Sequence, residues 1–162
     1  MQLNRSARFG AAKGLGMDNL ITAGLILEKG AAIMPTRILI FEGRGSLARG
    51  VAAFLPGKGN IIHVAPAATS SLAVLDTFQP DLILLQVEDP VGWSLLREIR
   101  TRTSVPLILC SSSGNKADAV RGLKQGADDY VRLPSSPIEL GARILAHLRR
   151  AQWTASGEHS YP

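Results

Sequence analysis

From residue 37 onward, short apolar runs alternate with segments of helical period. Residues 37–41 carry Ile38, Leu39, Ile40 and Phe41 in succession, which predicts a buried strand. Residues 46–55 place Leu47, Val51, Phe54 and Leu55 at helical spacing, with Pro56 and Gly57 as the stop. A second strand is predicted over 60–64 and a second helix over 67–78, where Leu72, Val74, Leu75 and Phe78 are apolar and Gln79-Pro80 closes the turn. The alternation continues with a strand over 81–85, a helix containing residues 95–99, a strand over 105–110 and a helix over 116–125 closed by Gly126. A brief fifth strand falls at 129–132, and a last helix over 137–150 carries Ile138, Leu140, Ile144, Leu145 and Leu148 on one face.

Strands that are continuous apolar runs, rather than alternating ones, indicate a parallel sheet covered on both faces. Five strand–helix units in order predict an α/β fold: a doubly wound, five-stranded parallel sheet of flavodoxin-like type. Such folds bind ligands outside the carboxyl ends of the strands. The residues at those ends therefore carry the functional question.

Three segments follow from this pattern. Residues 34–150 are the regular domain, and 151–162 are polar, without period, and expected to be a flexible tail. Residues 1–33 differ from both. Arg5, Arg8 and Lys13 precede a modest apolar run, but Asp18 and Asn19 interrupt it and Glu28-Lys29 follow at once, so a secretory leader is not read. Lys29-Gly30-Ala31 is compatible with the purine-rich codons of a ribosome-binding sequence. The expectation is that translation starts at Met34, so that 1–33 is either untranslated or disordered.

Of the 162 residues, 46% are hydrophobic, which is enough for a core, while only 5% are aromatic, so that core is aliphatic. The single cysteine, Cys110, excludes an intrachain disulfide and reads as a small buried hydrophobe. The net charge of +5 raises the prospect of a nucleic-acid or anionic membrane partner. The apolar runs are too short to span a bilayer. There is no Ser/His/Asp set, no glycine-rich phosphate loop and no zinc spacing, and His63 reads as packed or solvent-facing.

Three stretches resemble a known family. Pro80-Asp81-Leu82-Ile83-Leu84-Leu85 is the first, and Gly126-Ala127-Asp128-Asp129-Tyr130 followed by Pro134 is the second. The third is Glu139-Leu140-Gly141-Ala142-Arg143-Ile144. Together they resemble a response-regulator receiver domain, over roughly 36–150, and within that family the OmpR/PhoB subfamily. The resemblance implies a two-component (phosphorelay) signalling domain that is not an enzyme. In such domains an acidic pair after the first strand holds Mg²⁺ and an aspartate ending the third strand takes the phosphoryl group. A hydroxyl ends the fourth strand and a lysine follows the fifth. Oxygen ligands suit that hard cation, and the lysine and hydroxyl stabilise charge on the phosphoryl oxygens.

This chain departs from that pattern at most of those positions. The acidic pair becomes Glu42-Gly43, followed by Arg44; the acceptor position is Gln86; and the lysine position is Leu133. Only Ser111 keeps a compatible group. The expectation is a pseudo-receiver, with a degenerate pocket of Glu42, Gly43, Gln86, Ser111 and Leu133 that uses no cofactor and no metal. Arg44 is a candidate partner for Glu42 or Asp89. Tyr130 stands at the switch-like aromatic position, where the plainer reading is amphipathic packing. Two alternatives remain: a small-molecule sensor using the vacated pocket, lined by Gly43, Gln86, Leu133 and Ser111, or a conventional phosphoreceiver with a displaced acceptor at Asp89 or Glu88.

The resembled subfamily dimerises through its fourth helix, fifth strand and fifth helix. Arg121, Lys124, Asp128, Asp129 and Arg143 match that face, which predicts a homodimer; the plainer reading is solvated helix charges. The chain ends shortly after Arg150, so no DNA-binding winged helix is expected. Much of the domain's basic excess corresponds to acids missing from the strand ends rather than to a basic stripe. A cytoplasmic protein-interaction module is expected, with an unidentified signalling protein as partner, no direct nucleic-acid contact and no membrane.

Overall fold

The structure is a computed structural model and describes residues 35–156 except 44, 46 and 56–58. The expected extension over 1–33, the start at Met34, the pairing of Arg44 and the stop at Pro56-Gly57 lie outside the described residues.

Five strands are present: β1 (Thr36–Glu42), β2 (Asn60–Pro66), β3 (Leu82–Gln86), β4 (Leu107–Ser111) and β5 (Asp129–Arg132). They are flanked by α1 (Leu47–Phe54), α2 (Val74–Phe78), α3 (Pro90–Arg102), α4 (Lys116–Lys124) and α5 (Pro137–Ser156). The sheet is parallel throughout, in the order β2-β1-β3-β4-β5, which is the flavodoxin-like doubly wound arrangement.

Successive side chains on a strand point to opposite faces. Leu39, Phe41, Ile83, Leu85, Leu107 and Leu109 pack on one face with Leu75 and Phe78 of α2 and Leu95, Leu96 and Ile99 of α3. Ile38, Ile40, Leu82, Leu84, Ile108 and Cys110 pack on the other with Val51 of α1 and Leu140, Ile144 and Leu148 of α5. Both faces are dry, which is why β1, β3 and β4 read as continuous apolar runs.

Three expectations are corrected. Residues 67–78 do not form one helix: a single 3₁₀ turn, Thr69–Ser71, precedes the short α2. Hydroxyl side chains at 69–71 favour turn conformations over a helix interior, so the apolar spacing of the segment exceeds its helix. Residues 151–156 belong to α5 rather than to a flexible tail. Ile138 is 72% exposed and leaves the apolar stripe of α5, which follows the i, i+4, i+8 row of Leu140, Ile144 and Leu148.

Candidate functional site

The carboxyl ends of β1, β3 and β4 bring Glu42, Gln86 and Ser111 to one end of the sheet. Glu42 is not a free loop acid. Its Oε1 accepts from the Leu47 backbone N–H at 2.9 Å and its Oε2 from Ala48 at 3.2 Å, so it caps the first turn of α1. A carboxylate at a helix amino terminus meets unpaired N–H groups and the positive end of the dipole. Gly43 beside it is exposed, and a Cβ there would meet open space.

Gln86 is 6% exposed. Its Nε2 donates to Glu88 Oε1 at 3.2 Å, while its Oε1 is buried with no partner. A side chain at Gly45 would bring its Cβ within 2.7 Å of that oxygen, so glycine is needed for the loop to lie over the carboxamide. Glu88 is held from β4: its Oε2 accepts from Ser112 Oγ at 2.5 Å and its Oε1 from Ser112 N at 3.4 Å. Asp89 accepts from Gly92 N at 3.0 Å and is the N-cap of α3, with Pro90 at the first helical position. The Asp-Pro pair was a legible capping signal. Ser111 is buried, and its Oγ accepts from Ser113 N at 3.2 Å.

These groups do not fit a magnesium ion. Both oxygens of Glu42 are engaged by α1, and Gln86 offers a neutral amide where an octahedral oxygen site needs charge. Among the described residues no three His, Cys, Asp or Glu side chains stand together as metal ligands.

A groove of about 880 Å³ opens beside Gln86. Gln86 and Leu133 line it as the sequence predicted, but Gly43 and Ser111 do not. Ser111 is drawn into the sheet edge by its bond to Ser113, and Gly43 has no side chain to reach it. The walls come instead from Leu47 and Gly50 of α1, from Glu88 and Ser112, and from Pro134 and Leu140. Sequence reading missed Ser112 and the α1 wall, because Ser112 and Glu88 are 24 residues apart and meet only through the pairing of β3 with β4.

The charges on the α4–β5–α5 face are largely engaged within the chain. Asp129 pairs with Arg143 at 3.0 Å and lies 3.3 Å from His147, and Arg143 also reaches Glu139 at 3.4 Å. Hydrogen bonding to Asp129 raises the Arg143 pKa further. Asp128 pairs with Arg100 at 2.7 Å and accepts from the Leu107 N–H at 2.8 Å. Burial lowers the Arg100 pKa, against the pull of Asp128. Arg121 lies 4.1 Å over the Trp93 ring, and Lys124 is exposed. Val120 and Leu123 of α4 are 53% and 48% exposed. Tyr130 is half-buried against the core with its hydroxyl unpartnered. Cys110 is buried, and desolvation, with a smaller contribution from the Asp129 charge, pushes its thiol up to about 12. His63 is exposed, its ring 5.2 Å from that of Phe78. No helix among the described residues is long and apolar enough to cross a membrane.

Residues 38–145 match the family described as response regulator receiver domain. The DNA-binding response regulator MtrA of Mycobacterium tuberculosis is 36% identical over 119 residues, covering 72% of this chain and 52% of that protein. The probable transcriptional regulator ycf27 of Guillardia theta is 34% identical over 125 residues, covering 76% and 49%. The chain thus spans about half the length of the curated relatives it matches. Among solved structures, a two-component response regulator from Clostridium difficile superposes with a TM-score of 0.63 at 30% identity, covering 71% of this chain and 97% of that one. An orphan response regulator of H. pylori superposes with a TM-score of 0.62 at 28% identity, covering 70% and 97%. The chain belongs to the response-regulator receiver family, as a two-component receiver domain homologous to OmpR/PhoB-type regulators such as MtrA.

Proposed function

We propose that this receiver domain signals without phosphorylation, as a cytoplasmic, non-enzymatic module acting through protein–protein contacts. The observation that carries the reading is Gln86, a buried amide at the carboxyl end of β3, where the resemblance places the phosphoacceptor. An amide is not the nucleophile that phosphoryl transfer to a carboxylate requires. Leu133 supplies no cation for the transferred group, and Glu42 is committed to α1. The nearby acids offer poor substitutes: Asp89 caps α3, and Glu88 is tied to Ser112 and Gln86.

The partner surface we propose is the α4–β5–α5 face, used for a homodimer. Val120 and Leu123 supply exposed apolar area beside Lys124 and Arg121. Ion pairs already closed within the chain, Asp129 with Arg143 above all, set the shape of that face. Direct nucleic-acid contact forms no part of the reading; DNA binding is named for MtrA.

Incubation with acetyl phosphate and Mg²⁺, followed by intact-mass measurement, tests the chemistry. The expected result is an unmodified chain. A phosphoryl adduct mapped to Glu88 or Asp89 would overturn the reading. Sedimentation of the full chain tests the dimer, with concentration-dependent association weakened by Leu123→Asp as the expected result.

A further inference from the structure

The sheet has two edge strands, and they are guarded differently. β5 is four residues long and carries Asp129 and Arg132 at its two ends. β2 is seven residues long, Asn60-Ile61-Ile62-His63-Val64-Ala65-Pro66, and none of them is an acid, a lysine or an arginine. Its backbone directions follow from the bonds that flank it. Gly59 O accepts from Thr36 N, and Ala67 N donates to Glu42 O, so the odd positions turn their N–H and C=O groups to β1. The register is unbroken from Thr36–Asn60 to Glu42–Pro66, so Asn60, Ile62, Val64 and Pro66 turn theirs away from the sheet. Pro66, which has no N–H, stands at one of those outward positions, as an edge strand permits. Neither helix layer closes over the strand: Ile61 is 41% exposed and His63 is exposed on the α2 side, and Val64 is 49% exposed on the α1 side.

We propose that β2 is a self-association edge, pairing antiparallel with β2 of a second copy of this chain about a two-fold axis. Outward N–H and C=O groups at this spacing are completed by an extended strand. Charge selects the occupant. The chain carries a net +5, and β2 is a stretch where two identical edges meet without a like-charged pair, while a charged partner strand finds no counter-charge on it. Side-chain pairing selects the register. With His63 on the axis, Ile62 faces the partner's Val64 and Ile61 faces the partner's Ala65; with Ile62 on the axis, Val64 would face the partner's Asn60. In the His63-centred register Ile62 and the partner's Val64 exchange both backbone bonds, and Asn60 donates to the carbonyl of the partner's Pro66. A strand of seven residues extends ~23 Å, which gives a small interface of the transient class. The inference goes beyond the signalling reading and does not rest on it, since the dimer proposed there lies on the β5 side, at the opposite edge of the sheet.

The test uses the full chain carrying Leu123→Asp, which disables the α4–β5–α5 face, so that failure here says nothing against that dimer. Sedimentation at about 1 mM, where a contact with a Kd up to about 1 mM is substantially formed, is expected to show association that persists in this background. Between about 10 μM and that concentration, hydrogen exchange of the Ile62 and Val64 amides is expected to slow about twofold or more, while Ile61, His63 and Ala65, already bonded to β1, keep their rates. His63→Cys is expected to give a disulfide-linked dimer with oxidised glutathione, because the axis brings the two α-carbons to about 4.5 Å. Ile61→Cys, whose two copies stand about 13 Å apart, is expected to give none. The natural cysteine, Cys110, is buried and stays out of the reaction. Val64→Lys changes an exposed side chain and is expected to weaken association about tenfold. A chain that stays monomeric at about 1 mM, equal cross-linking at 61 and 63, or no slowing at Ile62 and Val64 would overturn the proposal and leave the edge to an extended peptide of another protein or to no partner.

Discussion

The two ends of the sheet hold their acids differently. At the amino-terminal end, acids are bonded across the strands. Asp81 accepts from the Arg37 N–H at 2.8 Å, joining β3 to β1, and Asp128 accepts from the Leu107 N–H at 2.8 Å, joining β5 to β4. Arg100 binds Asp128 and the Val105 carbonyl, each at 2.7 Å. At the carboxyl-terminal end, the Gln86 oxygen is buried unpaired and the Glu88 charge has only neutral donors. A buried polar group without a partner costs about 1–3 kcal/mol. At one end acids tie strand to strand; at the other Glu42 and Asp89 cap helices, Glu88 is exposed, and the Gln86 oxygen is left unpaired.

The comparison is broken most easily at Asp128. Asp128→Ala removes the bond to Leu107 and takes the charge partner from Arg100, whose side chain is 16% exposed and keeps only carbonyl partners. A loss of about 2–4 kcal/mol is expected in chemical denaturation. A loss below about 0.5 kcal/mol would mean that the acids do not tie the strands at the amino-terminal end.

The second effect depends on pH. The Cys110 thiol is pushed up to about 12 in the folded chain, from an ordinary value of 9.0. Above pH 9 the unfolded thiol loses its proton while the folded one keeps it, so the unfolded state binds fewer protons and stability falls as pH rises. The slope is steepest midway between those two values, where it nears about 1.4 kcal/mol per pH unit, and declines again towards pH 12. Comparison with Cys110→Ala isolates it, since that variant lacks this contribution and keeps those of Tyr and Lys. The same burial predicts no alkylation of the folded chain by iodoacetamide at pH 8, roughly one unit below the ordinary thiol value.

Smaller effects distinguish the groups at the carboxyl end. Glu42→Ala removes two bonds to the first turn of α1 and is expected to destabilise by about 1 kcal/mol. Gln86→Met removes the orphaned oxygen and is expected to stabilise by about 0.5–1 kcal/mol, the opposite sign from its neighbour. A destabilising Gln86→Met would show that the carboxamide is satisfied, by water or otherwise.

The sheet was legible because its two dry faces turn β1, β3 and β4 into unbroken apolar runs, and their alternation with helical segments marks doubly covered parallel strands. β5 was legible to its ends, as Asp129–Arg132. The start of α2 was not, because apolar spacing reports burial, and Leu72 is buried whether a helix or a 3₁₀ turn carries it. Gln86 and Leu133 were legible as groove-lining residues because the strand ends can be counted. Glu42 as a cap, Ser112 under Glu88 and Asp128 on Leu107 were not. Each depends on where a side chain turns after strands distant in sequence have paired, and hydropathy does not encode that.

The central proposal is that the carboxyl end of β3 carries no phosphoryl chemistry, because a neutral amide with an unpaired oxygen stands at the acceptor position. Beryllofluoride with Mg²⁺, which mimics a phosphoryl group on a carboxylate, tests it most directly when titrated against the ¹⁵N-labelled full chain. The account predicts no change in the amides of Gln86, Glu88, Ser111 and Leu133, and no change in association state. Saturable shifts at those residues, with Tyr130 moving in step, would contradict it.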